Sequence, residues 1–217
     1  MKKLFTFITA TVLLLSPQIA FAAKPQPTPT PTPSVKIICV DAGHGGNDTG
    51  ATYGTITEAQ ETLDIAVRLQ TLLTNANYFV VMTRKTPDAD PSNTDRANTC
   101  NNAGAAYLVS IHLNGSTNHA IDYTEGLYGK QLKDKAWAQK INNAMAQLSN
   151  VDPTKQYIQN NGITNFADGM LLKANMPATI AETVFISSDA EYTLLTDGTG
   201  NRQQQIAQAL FAGITSK

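Results

Sequence analysis

Cysteine is scarce in this chain, with two residues among 217, and neither has a neighbour at metal-binding spacing, so a cysteine-ligated zinc module is excluded. Charge is also sparse. Asp, Glu, Lys and Arg make up 15% of the residues, and no long run carries one sign. With Lys2 and Lys3 set aside, 14 basic residues stand against 17 acidic ones, which removes the electrostatic reason to expect nucleic acid as a partner. No internal repeat is present. The apolar run from Leu4 to Leu15 is shorter than the ~20 residues that span a bilayer comfortably.

What that run does suggest is export. Lys2 and Lys3 precede it and Ala20, Phe21 and Ala22 follow it in a small-x-small pattern, so residues 1–22 read as a removed signal peptide. No cysteine follows to carry a lipid. The expectation is a soluble exported protein, extracellular or in the cell envelope, without membrane association after cleavage. Residues 23–34 form a Pro/Thr-rich spacer. From Pro25 to Pro33 proline recurs at every second position, an extended polyproline-type tail reaching on the order of 30 Å.

Residues 35–217 are expected to fold as one domain, large enough to bury a core without staples. In an exported protein Cys39 and Cys100 are free to pair. Cys39, however, falls in what reads as a central strand, where a lone buried thiol is ordinary, and two unpaired thiols are the favoured reading.

Short apolar runs alternate with longer helical patterns, which predicts an α/β fold: a mostly parallel twisted sheet of about six strands with helices on both faces. The strand candidates are Val35 to Val40, Phe79 to Thr83, Ala106 to Ile111, Gly126 to Tyr128, Met170 to Leu172 and Thr179 to Phe185. Ile65, Ala66, Leu69, Leu72 and Leu73 form a core-facing helical stripe. Trp137, Ile141, Ala144, Met145 and Leu148 form a second, Ile206, Ala209, Leu210, Gly213 and Ile214 a third, and a shorter helix is expected from Ser92 to Ala103.

Open sheets of this kind bind ligands beyond the carboxyl ends of their strands. His44, in DAGHGG, lies just past the first run, His112, in SIHLN, just past the third, and Glu182, in AETVF, near the end of the last. Glu58 stands seven residues before Ile65, two turns back on the same inward stripe. Thr55 to Glu58 also spell a helix-capping box, and Glu61 faces inward nearly as well, so spacing leaves both acids open. The Gly-rich loop lacks the Lys-Ser/Thr ending of a phosphate cradle. Asp41 is expected to order that loop, and Asn114 to orient a ligand or simply make a turn. For Glu182 the competing reading is a buried acid paired with Arg84 or Arg96. His119 reads as a solvated loop histidine.

Together DAGHGGNDTGA, Glu58 with Leu63, Ile65 and Ala66, VVMTR at Val80 to Arg84, DRAN at Asp95 to Asn98, SIHLN and MPATIAETVFIS resemble, colinearly, the zinc-dependent N-acetylmuramoyl-L-alanine amidases of the type-3 family, which cut bacterial cell wall. The resemblance covers residues 35–217. It implies Zn²⁺ held by His44, Glu58 and His112, Glu182 as the catalytic carboxylate, and peptidoglycan as substrate. Two imidazoles and a carboxylate suit a catalytic zinc site, because they leave a fourth position open. Two departures stand out: Ala59 and Ser188 replace the family's usual Lys and Asn. Residues 115–175 also look too short for the helix that blocks the site in some relatives, so an open, constitutive site is expected; a monomer is the default, because no patch in the sequence argues otherwise. A catalytically silent peptidoglycan-binding domain, or a zinc hydrolase of another amide, is the alternative.

Overall fold

A computed structural model describes residues 36–130, 132–151, 154–167 and 169–216. The signal peptide and the spacer expected over residues 1–34 lie outside these. The element order is β1 (Ile37–Ala42), β2 (Thr52–Tyr53), β3 (Ile56–Thr57), α1 (Glu58–Asn75), β4 (Phe79–Met82), α2 (Asn93–Asn102), β5 (Tyr107–Asn114), β6 (Thr124–Tyr128), α3 (Lys133–Met145), β7 (Asn160–Asn165), α4 (Gly169–Lys173), β8 (Ala178–Phe185), α5 (Asp189–Leu195) and α6 (Asn201–Thr215). Six strands form one sheet in the order β4-β1-β5-β8-β6-β7. β4, β1, β5 and β8 run parallel, β6 is antiparallel to β8, and β7 is parallel to β6.

Because side chains alternate across a strand, the central strands feed two cores. Ile38 and Val40 of β1, and Val109, Ile111 and Leu113 of β5, pack with the stripes of α1, α3 and α6. Cys39, Leu108, Ala178 and Ile180 point to the other face, under Ala97 and Cys100 of α2 and Met170 and Leu171 of α4. The two covers are unequal. α2 has ten residues and α4 five, so α2 is only ~15 Å long. On their side of the sheet the row Asp41, Ser110, Ile180 and Leu127 lines an open cleft at the border of that core.

Several expectations need correction. Met170 to Leu172 are not a strand but part of helix α4; a short apolar run does not reveal its period. The sixth strand is β7, Asn-Asn-Gly-Ile-Thr-Asn, a polar edge strand with no hydrophobic signal to find. β5 continues through Asn114, so His112 lies within the strand and not after it. The cap of α1 is Thr57, whose hydroxyl accepts from the Gln60 amide, and not Thr55. Cys39 and Cys100 are joined in a disulfide. β1 and α2 lie face to face, which brings their Cα atoms to 5.6 Å, within the range a disulfide spans.

Candidate active site

The site begins with a backbone that few sequences tolerate. After β1 the chain turns through His44 at φ 58°, a left-handed conformation unusual for a non-glycine residue, followed by Gly45 at φ 138° and Gly46 at φ 54°. Arg96 holds this turn from below. Its guanidinium donates to the carbonyls of Ala42 at 2.7 Å and His44 at 2.9 Å and to Asp41 at 2.8 Å. Asp41 is fully buried and also accepts from Ser110 and Thr83. Burial works against its charge, and Arg96 and the hydroxyls outweigh that, keeping the carboxyl below its ordinary range. Arg84 donates to the Ala42, Gly43 and Ala59 carbonyls, which ties the loop to the start of α1.

This frame brings three groups together. The Glu58 carboxylate lies between two imidazoles, Oε2 at 3.1 Å from His44 Nε2 and Oε1 at 2.9 Å from His112 Nδ1. Backbone amides of Ala51 and Leu113 also donate to it, at 2.9 and 3.0 Å. Burial opposes its charge, but the hydrogen bonds from His112 and His44 hold the carboxyl well below the usual range. The His44 ring is pushed up to about 9, first by its hydrogen bond to Glu58. His112 is raised as well, its burial being outweighed by Glu58 and Glu182. Glu61, the other acid left open by spacing, instead accepts from Gln203 Nε2 at 2.9 Å, away from both histidines.

The cluster fits a metal ion. One ligand atom from each of His44, Glu58 and His112 lies within 4.8 Å of the others, and the nitrogen and oxygen donors suit zinc. Asp48 Oδ2 sits 2.8 Å from His44 Nδ1, a carboxylate that fixes the ring and leaves Nε2 facing the common point. Two glycines make the approach possible. A Cβ on Gly50 would meet Glu58 Oε2 and the His44 ring at 2.6 Å, and one on Gly43 would meet the His112 ring at 2.5 Å.

Glu182 stands beside this cluster as the register partner of His112, on β8. Its carboxyl is pushed up to about 7, first by burial and further by the charges of Glu58 and Glu125, against the pull of the histidines. Arg96 and Arg84 are taken up by the loop, so the pairing of Glu182 with either base does not occur. Glu125, the β6 partner of Glu182, was not foreseen; its strand is too short to reveal a face. Asn114 serves the backbone, its side chain accepting from the Gly115 amide and its carbonyl from the Ile186 amide. His119 is not merely solvated: its Nδ1 lies 2.6 Å from the Tyr53 hydroxyl, which also donates to Asp189. Ser188 caps α5.

His44, Glu58, His112 and Glu182 line a cleft of about 520 Å³. Asp90 and Ser92 line it too, as do the apolar side chains of Leu127, Phe166, Met170 and Ile180.

A family model described as N-acetylmuramoyl-L-alanine amidase matches residues 38–216. The chain is 29% identical over 198 residues to the germination-specific N-acetylmuramoyl-L-alanine amidase of Bacillus subtilis strain 168, covering 83% of this chain and 79% of that protein. It is 45% identical over 78 residues to the sporulation-specific amidase of the same organism, a match spanning 36% of this chain and 31% of that protein. Among solved structures, the catalytic domain of the amidase CwlV from Bacillus (Paenibacillus) polymyxa var. colistinus superposes with a TM-score of 0.73 at 28% identity, covering 83% of this chain and 97% of that one. An N-acetylmuramoyl-L-alanine amidase from Clostridium difficile 630 gives 0.72 at 29% identity, covering 83% and 95%.

Proposed function

The chain belongs to the N-acetylmuramoyl-L-alanine amidase family, and on that premise we propose that it is an exported peptidoglycan hydrolase cutting the amide bond between the lactyl group of N-acetylmuramic acid and the L-alanine of the stem peptide. The observation that carries this reading is the convergence of His44, Glu58 and His112 on one point, with Glu182 opposite His112 on the neighbouring strand.

His44 through Nε2, His112 through Nδ1 and Glu58 through a carboxylate oxygen would hold Zn²⁺. When bound, the ion supplies Lewis acidity, lowering the pKa of water towards neutrality and polarising the scissile carbonyl. Glu182 handles the proton. As the water oxygen bonds to the carbonyl carbon, Glu182 accepts a proton from it, and as the carbon–nitrogen bond breaks it passes that proton to the alanine nitrogen. A carboxyl poised at about 7 takes and returns a proton with little loss in either direction at neutral pH. The products are a muramic lactyl carboxylate and a peptide with a free alanine amino group.

Export is part of the proposal. The Cys39–Cys100 disulfide suits an oxidising compartment, and residues 1–22 and 23–34 keep their reading as signal peptide and spacer. The mature chain is proposed to act as a monomer with an open site and no activating partner.

Mass analysis of a defined muramoyl peptide after incubation with the zinc-loaded mature protein tests this. The expected result is addition of one water, split into the muramic acid and a peptide beginning with alanine. Cleavage at any other bond, or intact substrate, would contradict it.

A further inference from the structure

The cleft is chemically two-sided. At one end stand the titratable groups: His44, Glu58, His112 and Glu182. Beside polar residues such as Asp90, Ser92 and Arg96, another part of the lining is apolar, with Leu127 and Ile180 as neighbours on β6 and β8, Met170 on α4, and Phe166 just past the end of β7. Leu127, Ile180 and Met170 are pinned into the fold. Phe166 differs. It is 48% exposed, yet it lines the same cleft as the reacting groups.

Its mount is rigid. The Phe166 amide donates to the Tyr128 carbonyl at 2.8 Å. The side chain of the preceding Asn165 donates to the carbonyls of Tyr128 and Gly129 at 3.0 and 3.1 Å. The chain is therefore fastened to the end of β6 immediately before the ring's attachment point, while the ring itself stays half in water. Single exposed apolar residues are ordinary on a protein surface. One carried by a segment hydrogen-bonded to β6, on the wall of a cleft that also holds the candidate reacting groups, is placed to receive a ligand.

The substrate offers two kinds of surface beside its scissile amide: a pyranose ring and a short acidic peptide. A pyranose presents an axial C–H face that stacks on an aromatic ring, which is large, rigid and cheap in entropy to immobilise. An acidic peptide gains little from an uncharged aromatic ring, because it is recognised by cations and hydrogen-bond donors, which the Phe166 side chain does not supply. We therefore propose that Phe166 is a specificity-determining residue, the platform on which a sugar ring of the glycan strand stacks so that the muramoyl amide is presented to Glu182. This rests on the amidase reading above.

Two measurements test it. In Phe166→Trp the added indole joins Trp137, which is 3% exposed and buried against Leu108, so a change in emission reports on the cleft. Glycan strands stripped of stem peptide are expected to change that emission saturably, whereas stem peptide alone leaves it constant; this needs no turnover and is independent of whether the amide is cut. In turnover, Phe166→Ala is expected to raise KM for a muramoyl peptide about 3–10-fold with a smaller change in kcat, the size of a lost aromatic contact, and Phe166→Trp to restore it. A response to stem peptide in place of glycan, no response to either, or an unchanged KM in Phe166→Ala would each overturn the proposal. Loss of all cleavage in the unsubstituted protein would instead fall on the amidase reading.

Discussion

Glu182 and His112 are partners in the parallel register of β8 and β5, so the acid sits one strand spacing from the imidazole and on the same face of the sheet. Strand pairing alone sets this relationship. A register slip of one residue would turn Glu182 into the core on the other face.

Glu182→Gln keeps the shape of the side chain and removes its proton chemistry. The expected result is a fall in kcat of ~10²–10⁴-fold with zinc content unchanged, measured by turnover and metal analysis on the same sample. Loss of the metal together with activity would show that Glu182 is a ligand and not the proton carrier.

Gly50 makes a second prediction. It adopts φ +62°, and a Cβ there would strike Glu58 and His44 at 2.6 Å. Gly50→Ala is therefore expected to weaken zinc binding by 10-fold or more, by ~1.4 kcal/mol or more, in competition with a chromophoric chelator. An unaltered affinity would mean that the two ligands can move apart without cost.

The disulfide closes a loop with a sequence separation of 61, for which chain entropy gives ~4 kcal/mol of stabilisation. Cys39→Ala/Cys100→Ala is expected to lose ~2–4 kcal/mol in denaturant unfolding. Both cysteines are fully buried, so mild reductant is expected to leave the native protein oxidised. Arg96 lies one turn before Cys100 on α2, and loosening of that helix would reach His44 through the Arg96 hydrogen bond. A double variant as stable as the parent would contradict the entropic account.

Asp122 supplies a pH-dependent prediction away from the cleft. Its carboxyl is pushed up to about 8 from an ordinary 3.8, by burial first and then by the charge of Glu191. One oxygen accepts from the Phe185 amide at 3.1 Å. The other has no hydrogen-bond partner among the described residues. The folded state thus holds a proton that the unfolded chain releases near its ordinary pKa, so this contribution is fully present below that value and is lost as pH rises through about 8. Asp122→Asn keeps the Phe185 bond without the titration. Its melting temperature relative to the parent is expected to climb from pH 5 to pH 9; a constant or falling difference would refute the assignment.

How much of this was legible in the sequence depended on where the signal lay. Helices α1, α3 and α6 announce themselves because their apolar stripes face one large core, and β1, β5 and β8 because they are buried on both faces. β7 and α4 were missed or misread for opposite reasons: Asn160 to Asn165 carry almost no hydrophobic residues, and Met170 to Leu172 are too few to show a period. At the site, His44, Glu58, His112 and Glu182 could be gathered from colinear motifs, but spacing alone left Glu58 and Glu61 open because both face inward from the first turn of α1. Long-range contacts separate them: the Ala51 and Leu113 amides and both histidines meet the Glu58 carboxylate, whereas Gln203 takes up Glu61. Nothing local indicated that Cys39 would find Cys100, or that His119 would meet Tyr53, since both contacts join segments more than 60 residues apart.

The central claim is that His44, Glu58 and His112 hold the zinc on which amide cleavage depends. Metal-free mature protein titrated with Zn²⁺, with no other protein added, while newly freed alanine amino groups are counted from isolated peptidoglycan, tests it most directly. The account predicts that release rises linearly to one zinc per chain and then levels, and that His112→Ala neither binds the ion nor releases alanine. Full release from the metal-free protein, or from His112→Ala, would contradict it.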